Sequence, residues 1–402
     1  MNRKHPVIIQ GGMGAGVSSW RLAQAVSKLG QLGLVSGTAL DHILARRLQD
    51  GDVGGHMRRA LDRFSFCEMA ARVLKTYYVA GGRTENESYK KVAKFSKDTP
   101  REIIELCIVA NFVEIDLAKE GHANPVGINY LEKIQSPHLP SIYGAMLAGV
   151  DYVLMGAGIP LKIPGVLDRL SKHDAASYEL QVTGAQSGDD TTMHFVPQEY
   201  WEGEVAELRR PNFIAIVASN TLAVTLVKKA NGRVDGFVVE GPTAGGHNEP
   251  PRGKLQLTET GEPIYGERDV VDLEKMRELG LPFWLADMAV LRNCGKRWPR
   301  AQRECRWERR LRSARNPICV KTIKRSCCGR RSPARPRCLR IRSRRQPAFR
   351  SRRRSLQARY RSATYFWDGR GFATWGICER LIRRKRARLI IAARASRLVC
   401  TC

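Results

Sequence analysis

Residues 6–36 read PVIIQGGMGAGVSSWRLAQAVSKLGQLGLVS, and the fold turns on how this stretch is parsed. Pro6-Val7-Ile8-Ile9-Gln10 is short and continuously apolar, which suits a strand buried on both faces. It breaks into Gly11-Gly12-Met13-Gly14-Ala15-Gly16. A helix is predicted next, with Ser18 or Ser19 as its cap, Leu22, Ala25, Val26 and Leu29 at helical spacing, and Gly30 as its stop. Leu32–Ser36 is the second strand. The unit is strand, loop, helix, strand, and such units are parallel and right-handed. A dinucleotide-binding fingerprint would need Gly-x-Gly-x-x-Gly and an acidic residue closing the second strand. Here Val17 stands at the third glycine position and the second strand ends in Ser36-Gly37-Thr38. That site is disfavoured.

Working outward, apolar strand-like runs recur at Pro125–Tyr130, Tyr152–Gly156, Phe213–Val217, Gly236–Glu240 and Leu281–Ala286. Helices are expected around Tyr143–Ala148 and over Thr221–Lys229, and residues 176–200 alternate as a hairpin outside the main sheet would. Residues 40–120 read as inserted helices; Pro100–Glu120 fits one amphipathic helix with Ile103, Ile104, Cys107, Ile108 and Val109 towards the core. Seven candidate parallel strands with helices between them suit either a doubly wound α/β sheet or a (β/α)8 barrel missing its end, and the failed dinucleotide fingerprint favours the barrel.

Charge divides the chain in two. Residues 291–402 hold 36 Lys+Arg against 4 Asp+Glu, whereas 1–290 hold 32 against 35. Nine of the eleven cysteines also lie after 290. We therefore take 1–290 as the globular part and 291–402 as a tail of different origin. The first part has the composition of a cytosolic (cytoplasmic) protein, with neither a signal-peptide pattern nor a run of 18 apolar residues for a membrane span.

The second informative stretch is Val238–Gly253, VVEGPTAGGHNEPPRG. A strand ends in Glu240, and a loop with Gly241, Gly245 and Gly246 presents His247. Glycines at a strand's C-terminal end let a ligand approach the backbone. In parallel α/β folds this is where ligands bind.

PVIIQGGMG, GLVSGTA, VGIN and VVEGPTAGGH, in that order and at strand ends, resemble the nitronate monooxygenase (2-nitropropane dioxygenase) family over about residues 5–286. Flavin-type enoyl-acyl-carrier-protein reductases are close relatives. The resemblance implies an FMN-dependent TIM barrel. It places Gly11, Gly12, Met13 and Gly14 against the flavin ring, with Asn129 at the third strand and Glu240, Gly245 and Gly246 near the cofactor. His247 would lie over the reactive face, as substrate-binding group or base for a nitroalkane α-proton, and O2 would be the co-substrate. An imidazole with an ordinary pKa of about 6.5 suits both roles. The alternative within the enzyme class is an enoyl-thioester reductase, for which the chain shows no nicotinamide fingerprint.

Other residues carry blander expectations. His122 and His138 read as solvated or capping, Cys107 as buried core, Phe283 and Trp284 as barrel wall, and Asp116 and Glu120 as a solvated helix face. Cys67 and Cys107 have no partners at metal spacing, so no metal site is expected.

After residue 287 the family pattern stops. Asp287-Met288-Ala289-Val290 stands where the resemblance calls for a Gly-Gly turn, and no strand ending in Gly-Thr follows. The reading is a barrel lacking its eighth strand and its phosphate loops, with open edges and weakened flavin retention and activity. Of the 36 basic residues in the tail, 32 are Arg, whereas 1–290 hold 17 Arg and 15 Lys. A GC-rich gene read out of frame gives this mixture, so a frameshift near codons 287–292 is the expectation. The alternative is a genuine arginine-rich, disordered arm that binds nucleic acid, densest at Arg342–Arg354.

Overall fold

The computed structural model describes residues 5–203, 205–241, 244, 250–287 and 318–321. Strand β1 (Ile8–Gln10) leads through the glycine loop into α1 (Trp20–Ser27) and β2 (Gly33–Ser36). Helices α2 (Leu40–Gln49), α3 (His56–Leu61), α4 (Cys67–Tyr77) and α5 (Arg101–Lys119) precede β3 (Val126–Leu131). The chain continues through α6 (His138–Leu147), β4 (Tyr152–Gly156), α7 (Ile163–Leu170) and a hairpin of β5 (Ala176–Glu179) and β6 (Thr192–Phe195). Then come β7 (Asn212–Val217), α8 (Asn220–Lys229), β8 (Gly236–Glu240), α9 (Leu273–Glu278), β9 (Phe283–Asp287) and β10 (Ile318–Lys321). The antiparallel hairpin stands apart from the main sheet, as the alternation at 176–200 predicted.

The main sheet is parallel and curled, with order β1-β10-β9-β8-β7-β4-β3-β2. At its two ends β1 and β2 meet: Ile9 bridges Leu32, Gln10 N–H donates to Leu32 O (3.0 Å), and Leu32 N–H donates to Ile8 O (3.0 Å). The ladder then stops, and the Gln10 side chain continues it by accepting from Leu34 N–H at 2.9 Å. The expectation of a missing eighth strand and two open edges is corrected here. Strand β10 pairs with β9 on one side and β1 on the other. Four residues, Ile-Cys-Val-Lys, inside an arginine-rich context leave no alternation to read.

Curling separates two cores. Ile9, Leu32, Leu34, Tyr152, Leu154, Ile214, Val238 and Trp284 form a cluster on the inner face of the sheet. Their neighbours along each strand, such as Val35, Val153, Phe213, Phe237 and Phe283, pack outward with the helices, as the two-residue period of a strand requires. Trp284 therefore fills the interior instead of serving as wall. Its Nε1–H donates to Pro6 O at 3.0 Å, at the end of the sheet where the strands begin. Phe283 does line the outer layer.

Helix α5 is buried on every side rather than along one stripe: residues 105–115 are buried without a break. The inserted helices α2–α4 cover the face that would otherwise meet solvent, and residues 78–100 of the insertion carry no helix. The buried acids of α5 are consequently paired. Glu105 receives two bonds from Arg72 (2.9 Å each) and one from Arg101 (2.9 Å), and Glu114 accepts from Trp20 N–H (2.9 Å) and from Arg47. Asp116 and Glu120 are not a free solvated face, because Arg63 and Arg59 bind them. On the opposite side α6 approaches so closely that a Cβ on Gly144 would lie 2.1 Å from Ile108 O. Cys107 is buried as expected, 3.1 Å from Ser141 Oγ, and burial pushes its thiol pKa up.

Candidate functional site

The C-terminal ends of β1, β2 and β3 bring the first glycine loop against Asn129. Asn129 Nδ2–H donates to Gly12 O at 3.0 Å and lies 3.8 Å from Met13 Sδ. A side chain at position 12 is excluded, since its Cβ would meet Asn129 Cβ and Leu34 Cβ at 2.9 Å each. Gly14 and Gly16 turn the chain with φ of +74° and +70°, a region that glycine enters without steric cost. Of the expected residues, Gly12 and Met13 lie against Asn129, and Gly11 and Gly14 are their neighbours in the same loop.

Asn129 is 4% exposed, and its Oδ1 has no hydrogen-bond partner. The amide orientation is set by its other end, because Gly12 O can only accept. What remains is a buried acceptor at the mouth of the sheet. An unsatisfied buried acceptor costs about 1–3 kcal/mol, and such groups in folded proteins are expected to have a partner.

Two residues that pattern reading missed hold this loop. Ser18 Oγ donates to Gly11 O (3.0 Å) and accepts from Met13 N–H (3.0 Å), and Gln10 Nε2–H donates to Gly11 O (2.6 Å) and to Ser18 Oγ (3.2 Å). Both side chains are buried. Ser18 was expected only as a possible helix cap; Ser19 occupies the cap position and makes no side-chain cap bond. A polar residue one turn before a helix looks the same in sequence whichever job it does.

Glu240 ends β8, two residues after the inward-facing Val238 and therefore on the same face. It lies opposite Ala286 of β9. Gly245, Gly246 and His247 lie outside the described residues, as do the expected phosphate-loop positions after Asp287 and the basic tail beyond Lys321. Among the described residues no group of three His, Cys, Asp or Glu could hold a metal, and no helix is long and apolar enough to cross a membrane.

His138 departs from its expectation. It is 2% exposed, with Nε2–H donating to Glu132 O (3.1 Å) and the Tyr178 ring edge-on at 5.3 Å. Glu132 beside it is also buried and accepts from Tyr178 OH and Gln135 Nε2 at 2.8 Å each. This cluster faces outward beneath the hairpin, on the side of Tyr130, away from the glycine loop. Burial lowers the His138 pKa from 6.5 to about 4. The unfolded chain therefore binds the extra proton first, and His138 contributes stability above pH 6.5 that is lost as pH falls towards 4. Denaturant titrations at pH 7 and pH 4.5 should differ by on the order of 3 kcal/mol from this group. His138→Leu should flatten that difference; an unchanged pH dependence in the variant would show that other groups cause it. His122, by contrast, does cap, with Nε2 2.8 Å from Ala118 O near the end of α5.

No known family profile matches the chain, and no curated protein matches it. Among solved structures the chain is similar to a FabK mutant from Thermotoga maritima, at 17% identity and a TM-score of 0.33 over 71% of this chain and 53% of that one. It is also similar to the nitroalkane oxidase from Streptomyces ansochromogenes, at 13% identity and a TM-score of 0.33 over 70% of this chain and 58% of that one. The chain thus spans little more than half the length of either protein.

Proposed function

We propose that this chain is an FMN-dependent oxidoreductase of the nitronate monooxygenase type, built on a (β/α)8-type barrel. The observation that carries the reading is the buried, unpartnered Asn129 Oδ1 beside Gly12, a position where only glycine fits, at the C-terminal end of a parallel sheet where ligands bind. An aromatic cofactor ring with polar edges suits such a place: it lies flat against bare backbone and satisfies the acceptor. Gly11, Gly12, Met13, Gly14 and Asn129 would hold the ring from one side. Glu240, Gly245 and Gly246 would approach it from the β8 loop. When bound, FMN supplies the redox chemistry between substrate and O2. His247 would take the α-proton of a nitroalkane, or hold an alkyl nitronate once protonated.

The test is to add FMN to the purified chain, measure its affinity by fluorescence quenching, and follow oxygen uptake with an alkyl nitronate. Asn129→Leu should weaken FMN binding about 10- to 100-fold, the value of one buried hydrogen bond at about 1–3 kcal/mol. Its stability without FMN should move by less than about 1 kcal/mol, because the lost bond to Gly12 O is offset by removal of the orphaned acceptor. Equal FMN affinity in wild type and Asn129→Leu would sink the placement of the ring.

A further inference from the structure

We infer that Ser18 is a positioning residue that aims the backbone of the glycine loop at its ligand; this rests on the flavin reading above.

Peptide groups are planar and trans, so each C=O points opposite to the N–H that follows it. Ser18 Oγ holds Gly11 O from one side and Met13 N–H from the same side, both at 3.0 Å. The peptide between Gly11 and Gly12 therefore turns its N–H, that of Gly12, away from Ser18. In the next peptide the Met13 N–H is bound to Ser18 while Gly12 O turns the other way, to Asn129 Nδ2. One hydroxyl thus fixes two successive planes, and with them the direction of the Gly12 N–H and of the Gly12 O that locks the Asn129 amide.

Five further hydrogen bonds make this clamp stiff. Gln10 Nε2–H reinforces it at Gly11 O and Ser18 Oγ while Gln10 Oε1 holds Leu34 N–H of β2. The Ser18 backbone is tied at both ends, its N–H to Met13 O (3.3 Å) and its O to Ser36 N–H (2.9 Å). Glycines at 11, 12, 14 and 16 give this loop no conformational preference of its own, so its shape comes from these bonds.

Ser27, the last residue of α1, supplies the control. It is fully buried, donates to Pro125 O (2.8 Å) and accepts from Gly33 N–H (3.2 Å), the same bond types at the other end of α1. Ser18→Ala and Ser27→Ala in the full chain should lose similar stability. Only Ser18→Ala should accelerate hydrogen exchange at the Met13 amide, by about tenfold or more, and weaken FMN binding about tenfold, with Ser27→Ala within about twofold of wild type. The inference is overturned if Ser18→Ala changes Met13 exchange and FMN affinity no more than Ser27→Ala does. It is equally overturned if exchange accelerates while affinity stays the same. Should wild type bind no FMN at all, the flavin reading falls, and Met13 exchange in the two variants alone decides whether Ser18 sets the loop.

Discussion

His247→Ala should reduce nitroalkane-dependent oxygen uptake by about 10²- to 10⁴-fold, the usual worth of a positioned general acid or base. FMN affinity should stay within about threefold of wild type. The expectation follows from division of labour: Gly12 and Asn129 meet between β1 and β3, whereas His247 comes seven residues after Glu240 in the sequence. If the histidine handles the substrate proton, its loss leaves the ring contacts untouched. Two outcomes separate the roles it could have. A preformed nitronate needs no deprotonation, so a variant that recovers on the nitronate but fails on the nitroalkane marks a base. A variant that fails on both, with KM rising, marks a substrate-binding group. Uptake within threefold of wild type on both substrates would remove His247 from the mechanism.

Trp284→Ala should cost about 3–5 kcal/mol in denaturant titration, the range for emptying a large buried aromatic site. Trp284 is fully buried in the inner cluster beside Tyr152, Leu154, Ile214 and Val238. These neighbours belong to three different strands, so they cannot collapse into the hole without bending the sheet, which places the cost towards the upper end of that range. The Pro6 carbonyl also loses its donor. Trp284→Phe keeps most of the apolar volume and loses that bond, so it should cost less, about 1–3 kcal/mol. If Trp284→Ala costs under about 1 kcal/mol, the interior of the curled sheet is not the packed core described here.

Much of this molecule was legible in one dimension. Continuous apolar runs marked β1–β4 and β7–β9, because strands buried on both faces need apolar residues throughout. The glycine loop at 11–16 was readable as the break between a strand and a helix, whereas its meeting with Asn129 depends on a contact between distant parts of the chain. Strand β10 was not legible: four residues carry no period, and pairing with β9 and β1 gives them their place.

The sequence by itself determined the parallel α/β class, the separate hairpin and the glycine loop, all of which depend on local pattern. Only the tertiary structure decided that α5 is buried all round, that His138 is held neutral beneath the hairpin, and that Ser18 clamps a loop instead of capping a helix. The physical reason is common to the three. Whether a polar or apolar residue is covered, and by what, depends on contacts across the chain: Trp20 with Glu114, Tyr178 with Glu132, Gly12 with Asn129. No local spacing encodes those meetings.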